Sequence, residues 1–259
     1  MKFSVVTPSY NQGRFIRDCL ESVRSQTGVE VEHLVVDAGS TDATLEILKS
    51  APQIQWTSEP DAGMSDGINK GFRRATGEWL MWLNTDDYLL PGALARVDAF
   101  AKAHPDADVI YGDCLFVDEA RCVLRRKREH RFDFNTLLFY GCFIPSTSTF
   151  IHRRVIATGQ LLDVGCRVCM DFEYYLRLSG AGCRFAHLPE ALACFRWHAA
   201  NTSSVQHARR REERLQIQRQ CLRGMNRLWL GHPVLLDILY RVYQVKRGWL
   251  RLFSTFSKR

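Results

Sequence analysis

The chain has 259 residues, of which 46% are hydrophobic, 11% aromatic and 24% charged, a composition that excludes disorder and a length that suits one large domain or one domain with an appendage of roughly 50 residues. Its formal charge of +7 is unevenly placed: residues 207–259 hold 13 Lys and Arg against three acids, a net +10, while the other 206 residues hold 22 against 25, a net −3. The body is mildly acidic, and only the tail makes the protein basic.

In chain order, short apolar runs alternate with amphipathic stretches, as in a sheet flanked by helices. Phe3–Thr7 reads as a strand and Phe15–Val23 as a helix, with Phe15, Ile16, Cys19, Leu20 and Val23 at helical spacing. Val31–Val36 is the next strand. Ser40-Thr41-Asp42 caps a helix over Ala43–Lys49, Ile54–Thr57 is a short strand, Ser65–Ala75 a helix and Trp79–Leu83 a strongly apolar strand. This alternation predicts a largely parallel sheet. Beyond Pro91 come a helix over Ala93–Ala103, a strand at Val109–Tyr111, and then a mixed half with strand pieces at Leu115–Val117, Ser148–Ile151 and Ala191–Trp197 and a helix at Asp171–Ser179. From about Ala208 two helices follow, the second opened by Pro233 and carrying Trp249, Leu250 and Phe253 among Arg241, Lys246, Arg247, Arg251, Lys258 and Arg259.

Nine scattered cysteines and a start without the ~7–15-residue apolar core of a secretory leader lead us to expect reduced thiols and a cytoplasmic site. No apolar run approaches the ~18 residues of a spanning helix. Cys166-x-x-Cys169 has no second cysteine pair nearby, so packed thiols are expected there in preference to a zinc or redox pair.

The chemistry gathers where the early strands end. Thr7-Pro8-Ser9-Tyr10, Asp37-Ala38-Gly39-Ser40, Glu59-Pro60-Asp61 and Asn84-Thr85-Asp86-Asp87 each follow a strand, and in a parallel sheet they emerge at the carboxyl edge, where ligands bind. Two adjacent carboxylates leaving a buried strand repel each other unless a cation joins them, and a hard divalent ion is the natural one; a helix cap is the plain alternative. Neither Gly-x-Gly-x-x-Gly nor Gly-x-x-x-x-Gly-Lys-Ser/Thr occurs, which disfavours a nicotinamide dehydrogenase or a P-loop kinase.

These strings, with Ser58-Glu59-Pro60-Asp61-Ala62-Gly63-Met64-Ser65-Asp66-Gly67-Ile68-Asn69-Lys70-Gly71, Thr76-Gly77-Glu78, Tyr111-Gly112-Asp113, Met170-Asp171-Phe172-Glu173 and Phe195-Arg196-Trp197-His198, occur in the order that resembles family 2 of the glycosyltransferases. The resemblance covers roughly residues 1–200. It implies an α/β GT-A fold, a catalytic domain over 1–206 (nucleotide-binding half 1–113, acceptor and catalytic half 114–206) and a basic amphipathic helical tail over 207–259. It further implies an inverting transfer from a nucleotide-diphosphate sugar, by default UDP, to a glycan or polyprenyl-linked acceptor of a cell-surface polysaccharide, assisted by Mg²⁺ or Mn²⁺.

By position, Pro8, Tyr10 and Asp37 are expected to hold the base and ribose, Asp66 and Asn69 to lie near the ribose and donor sugar, Asp86 to face the ribose, and Asp87 to bind the metal with help from His198. Asp171 is expected as general base, with Glu173 as fallback, and Asp113 either positions a sugar or serves a turn. The basic run Arg125-Arg126-Lys127-Arg128 reads as a phosphate contact or a solvated hairpin. Residues 233–259 are expected on an anionic membrane surface, each basic residue adding up to ~1 kcal/mol, or else packed on the body. This makes the protein peripheral on the inner face of the cell membrane, with no nucleic-acid partner. Two rival readings are a metal-dependent nucleotidyltransferase and a nucleic-acid-binding module built on the Arg-rich tail.

Overall fold

The computed structural model describes residues 1–199, Asn201 and 206–256, the last four of these as backbone only, so the Phe253 side chain, Lys258 and Arg259 lie outside the described residues. Strands β1 (Lys2–Ser9), β2 (Glu30–Asp37), β3 (Gln55–Ser58) and β4 (Trp79–Trp82) run parallel in the order β3-β2-β1-β4. Helices α1 (Ile16–Arg24), α2 (Thr44–Lys49) and α3 (Met64–Arg74) connect them.

Both faces of this sheet are covered, which is why its strands are apolar almost throughout. Phe3, Val5, Trp79, Met81 and Leu83 pack toward α1 and α4 (Ala93–Ala103). Val6, Leu80 and Trp82 pack on the opposite face with Ile68 and Phe72 of α3. Helix α3 approaches closely because Gly71 faces β1: a Cβ there would stand 2.3 Å from Val6 Cγ1.

The second half makes the sheet mixed. After β5 (Tyr88–Leu89) and α4, the hairpin of β6 (Val109–Val117) and β7 (Val123–Lys127) leads through a π-helical turn at Thr136–Tyr140 to β8 (Thr149–His152), α5 (Arg153–Ala157), α6 (Met170–Gly180) and β9 (Phe185–Arg196). The sheet order is β3-β2-β1-β4-β8-β6-β9-β5, with β7 on β6. Since β8 is antiparallel to both β4 and β6, and β9 is parallel to β6, strands β1–β4, β6 and β9 all point one way. The end of β9 is thereby delivered to the same sheet edge as the ends of β1 to β4.

One local expectation changes, one open alternative resolves and one expectation holds. Leu115–Val117 is the end of β6 and not a separate strand, and β9 begins at Phe185. The first three residues of the basic run lie in β7 and are partnered within the fold: Arg125 stacks on Phe116, Arg126 bonds Asp113 and Lys127 donates to the Phe143 carbonyl. The Cys166 and Cys169 thiols are free, buried and packed.

The tail forms α7 (His207–Gly224) and α8 (Pro233–Phe256) and docks on the body. Leu222 and Leu236 join the main core, Tyr243 stacks on Phe139 at 5.2 Å and Tyr240 on Tyr140 at 5.6 Å. Lys246 pairs with Asp133 at 2.9 Å, Arg251 donates to the Arg128 carbonyl, and Arg247 grips the fully buried Glu129 carboxylate with two 2.8 Å bonds. Part of the tail's positive charge is thus directed inward. Outward, Val234, Ile238, Val242, Val245, Trp249 and Leu252 form a stripe in which each residue is more than half exposed. Among the described residues no helix is long and apolar enough to cross a membrane.

Replacing Arg247 by Met is expected to destabilise the protein by about 3 kcal/mol, because it strips a partner from a buried carboxylate. Urea denaturation measures this, and adding Glu129→Gln to Arg247→Met is expected to recover most of the loss.

Candidate active site at the carboxyl edge of the sheet

The loops after β1, β2, β3 and β4, together with the C-terminal end of β9 and the segment before α6, enclose a cleft of about 760 Å³. Pro8, Tyr10, Asp86, Asp171 and His198 line it, alongside Asn84, Arg167, Phe195 and Asn201. It sits where the strand order reverses beside β1, the switch point at which open α/β sheets bind ligands. Tyr10 is 60% exposed at the mouth, an aromatic ring free to stack on a ligand. Its loop is tied down by Asn11, whose N–H donates to Ser40 and whose side-chain oxygen accepts from the Thr41 N–H.

The two adjacent aspartates have different surroundings. Asp86 reaches the cleft, where its Oδ2 lies 3.0 Å from His198 Nε2 and 3.3 Å from Asn201 Nδ2. Asp87 turns inward at 1% exposure: Oδ1 accepts the Arg196 N–H at 2.9 Å, and Oδ2 is buried without a hydrogen-bond partner among the described residues. Burial and the neighbouring Asp86 carboxylate push Asp87 well above the usual carboxylate range. The expectation that Asp87 faces a metal is therefore corrected: the oxygen and nitrogen presented together at the cleft belong to Asp86 and His198. Among the described residues no three His, Cys, Asp or Glu side chains are placed to hold a metal ion by themselves. Such a sparse pair nevertheless suits a divalent ion whose remaining ligands are phosphate oxygens and waters.

Asp171, at the start of α6, is partly exposed to the cleft. Burial raises its pKa above the ordinary carboxylate value, and the Phe172 N–H and the Cys142 thiol offset this only in part. Its proton affinity is thus shifted toward that of a general base working near neutrality. Glu173 instead forms an ion pair with Arg177 at 2.7 Å and is not part of the lining.

Three expected donor contacts are occupied within the protein. Asp37 is fully buried and accepts from the Gly39 and Ser40 N–H groups and the Ser40 and Ser58 hydroxyls, organising the turn after β2. Asn69 spends both amide atoms on the Leu162 backbone, at 2.9 Å each, and pins α3 to that loop. Asp66 accepts the Ala62 N–H and so shapes the loop that lines the cleft. Asp113 is likewise inside the fold, bonded to His187, Arg126 and the Glu129 N–H.

Residue-by-residue reading missed Arg196 and Asn201. Arg196, 3% exposed, donates to the Asp86 and Glu119 carbonyls and to Asp18, and lies 4.9 Å from the Phe15 ring, which also packs on His198. Asn201 accepts the His198 N–H and donates to the Arg196 carbonyl and to Asp86. The only sequence signal was their place in Phe195–Asn201, beside the histidine.

The chain's relatives point the same way. The family model described as Glycosyl transferase family 2 matches residues 4–171. A PGL/p-HBAD biosynthesis glycosyltransferase of Mycobacterium bovis is 34% identical over 185 residues, 68% of this chain and 68% of its own length. Residues 1–349 of S. aureus TarS, solved in complex with UDP-GlcNAc, superpose with a TM-score of 0.71 at 19% identity, over 94% of this chain and 72% of that one. Mannosyltransferase PcManGT from Pyrobaculum calidifontis, in complex with GDP-Man and Mn²⁺, gives 0.62 at 17% identity, over 94% and 73%. At these identities the structural likeness establishes the GT-A fold.

The raised pKa of Asp171 has a consequence for stability. Since the folded state holds this proton more tightly than the unfolded chain does, the contribution is favourable below the ordinary carboxylate pKa and is lost as pH rises through the folded value. Asp171→Asn is expected to melt above the wild type at neutral pH, the difference shrinking as pH falls through the carboxylate range. Melting temperatures from pH 3 to 8 test this, and a pH-independent difference would refute it.

Proposed function

The chain belongs to glycosyltransferase family 2, and on that premise we propose that it transfers a sugar from a nucleotide-diphosphate sugar, by default a UDP-sugar, to a hydroxyl of a glycan or lipid-linked acceptor with inversion at the sugar carbon. The observation that carries this reading is the presence in one cleft of a carboxylate of raised proton affinity, Asp171, and an Asp86–His198 pair suited to a metal diphosphate. Residues 1–113 provide the donor side and 114–206 the acceptor side. Tyr10 stacks on the base, and Pro8 shapes its pocket. Asp86 and His198 would hold Mg²⁺ or Mn²⁺, which when bound would neutralise the charge of the departing diphosphate. Asp171 takes the acceptor hydroxyl's proton as its oxygen bonds the sugar carbon and the bond from that carbon to the diphosphate breaks; the proton then passes to solvent. Asp87 acts beneath the site, holding the backbone of Arg196.

The acceptor is lipid-linked in this reading, because the outward stripe of α8 gives the protein a face for a membrane surface. With ~1.5 Å rise per residue the stripe runs about 27 Å from Val234 to Leu252, a narrow convex ridge suited to lying among lipid headgroups. Exposed Arg241 lies on the same helix and complements an anionic leaflet. The attachment is chiefly apolar, since Lys246, Arg247 and Arg251 are engaged with the body.

With a panel of nucleotide sugars, one donor is expected to be turned over with Mn²⁺ and not with EDTA. Asp171→Asn is expected to lower turnover about 10²–10⁴-fold while keeping nucleotide affinity; full activity in this variant would remove the assigned base. Asp86→Ala and His198→Ala are expected to lose metal-dependent nucleotide binding, measured by calorimetry. In a separate test, Val242→Glu combined with Val245→Glu is expected to abolish sedimentation with phosphatidylglycerol-containing vesicles without lowering the melting temperature, and unchanged sedimentation would refute the membrane face.

A further inference from the structure

We infer that Glu213, on tail helix α7, is a positioning residue for the transfer reaction, its carboxylate holding the segment that presents Asp171 to the cleft. The inference rests on the reading of Asp171 as the base. Glu213 Oε2 accepts the N–H groups of Val168 at 2.8 Å and Cys169 at 3.0 Å, while Oε1 accepts the Arg167 N–H at 3.2 Å. The Cys166 thiol adds a contact at 3.5 Å, and Arg209 Nε, at 3.0 Å, supplies the countercharge.

Three consecutive N–H groups converging at the start of a helix form an anion cradle. Here the cradle opens α6, two residues before Asp171, and its anion comes from a different part of the chain. Arg167, Val168, Met170 and Asp171 all line the cleft, so the backbone that Glu213 clamps is the wall of the site itself. Residues 163–169 form no helix or strand of their own. Without the carboxylate the three N–H groups lose their common acceptor and Asp171 loses its fixed height above the cleft floor. The donor contacts assigned to Pro8, Tyr10, Asp86 and His198 lie on other loops and do not pass through Glu213.

That separation sets the test. A misplacement of about 1 Å of a catalytic group can cost about 10²-fold in rate. Glu213→Gln, which keeps one acceptor oxygen and places an amide donor against the other N–H groups, is expected to lower kcat about 10- to 100-fold while the Kd of UDP or GDP with Mn²⁺, whichever binds the wild type, stays within about two-fold. Glu213→Ala is expected to do at least as much, and Arg209→Gln, which leaves the three N–H bonds in place, to change kcat less than about three-fold. A wild-type kcat in Glu213→Gln would overturn the inference. So would a fall in kcat matched by an equal loss of nucleotide affinity, which would mark general loosening. Should Glu213→Ala fail to fold, Glu213→Gln decides the question. Asp171→Asn measured alongside separates the two readings: an active Asp171→Asn removes the base, whereas an inactive Asp171→Asn beside a fully active Glu213→Gln removes only the role of Glu213.

Discussion

The site depends on one buried joint, where Arg196 at the end of β9 meets the aspartate loop at the end of β4. In the sheet β4 and β9 are separated by β8 and β6, but β5, directly after Asp87, pairs antiparallel with β9, Tyr88 opposite Cys194, and so carries the aspartate loop to the end of β9. The joint then fixes it from both directions: Asp87 accepts the Arg196 N–H, and the Arg196 guanidinium donates to the Asp86 carbonyl and reaches Asp18 on α1. A buried arginine is tolerable only when its donors are satisfied, and breaking such an arrangement typically costs about 3–5 kcal/mol. Once it is made, His198 and Asn201 follow directly onto the Asp86 carboxylate. The adjacent acids thereby divide their work, one fixing the scaffold from beneath and the other facing the cleft.

The rest of the cleft follows the same pattern of carboxylates and amides that shape loops. Asp37 closes the turn after β2, Asp66 draws in the Ala62 backbone, Asn69 holds Leu162 and Glu213 cradles residues 167–169. Each satisfies backbone groups that a loop beside a ligand cleft leaves without a ladder partner. This explains why polar side chains are so numerous at the sheet edge while few of them face the cavity.

Much of this was legible in the sequence because it is local. Short apolar runs and period-3.6 patterning gave β1 to β4 and α1 to α4 to within a residue or two, and strand ends rich in Asp, Asn and Ser marked the sheet edge at which the cleft lies. The two-residue β5 and the exposed β7, whose residues alternate little in burial, carry too weak a pattern to read. The direction of the individual side chains was not legible either. Asp86 and Asp87 are chemically identical neighbours, and only the arrival of Arg196, 109 positions later, turns one inward. For the same reason Glu213 looked like one charge in an arginine-rich run, although its partners lie 44 to 46 positions earlier.

The tail shows how a charge count can be correct and still mislead about its purpose. A net +10 beside a body of −3 reads as attraction to an external polyanion, yet part of that complementarity is internal. Glu129 and Asp133 of the body meet Arg247 and Lys246, and backbone carbonyls at 128 and 139 meet Arg251 and Arg214. Because long basic side chains extend well beyond the helix surface, they can bond acids at the body while their helix keeps its opposite face largely exposed. That face is then free to be apolar, and the stripe from Val234 to Leu252 is what remains. Charge thus docks the helix on the enzyme, and docking in turn presents an apolar surface outward. The same docking sets α7 where Glu213 reaches the base of α6, so the segment that looked most separable in sequence is joined to the wall of the active site.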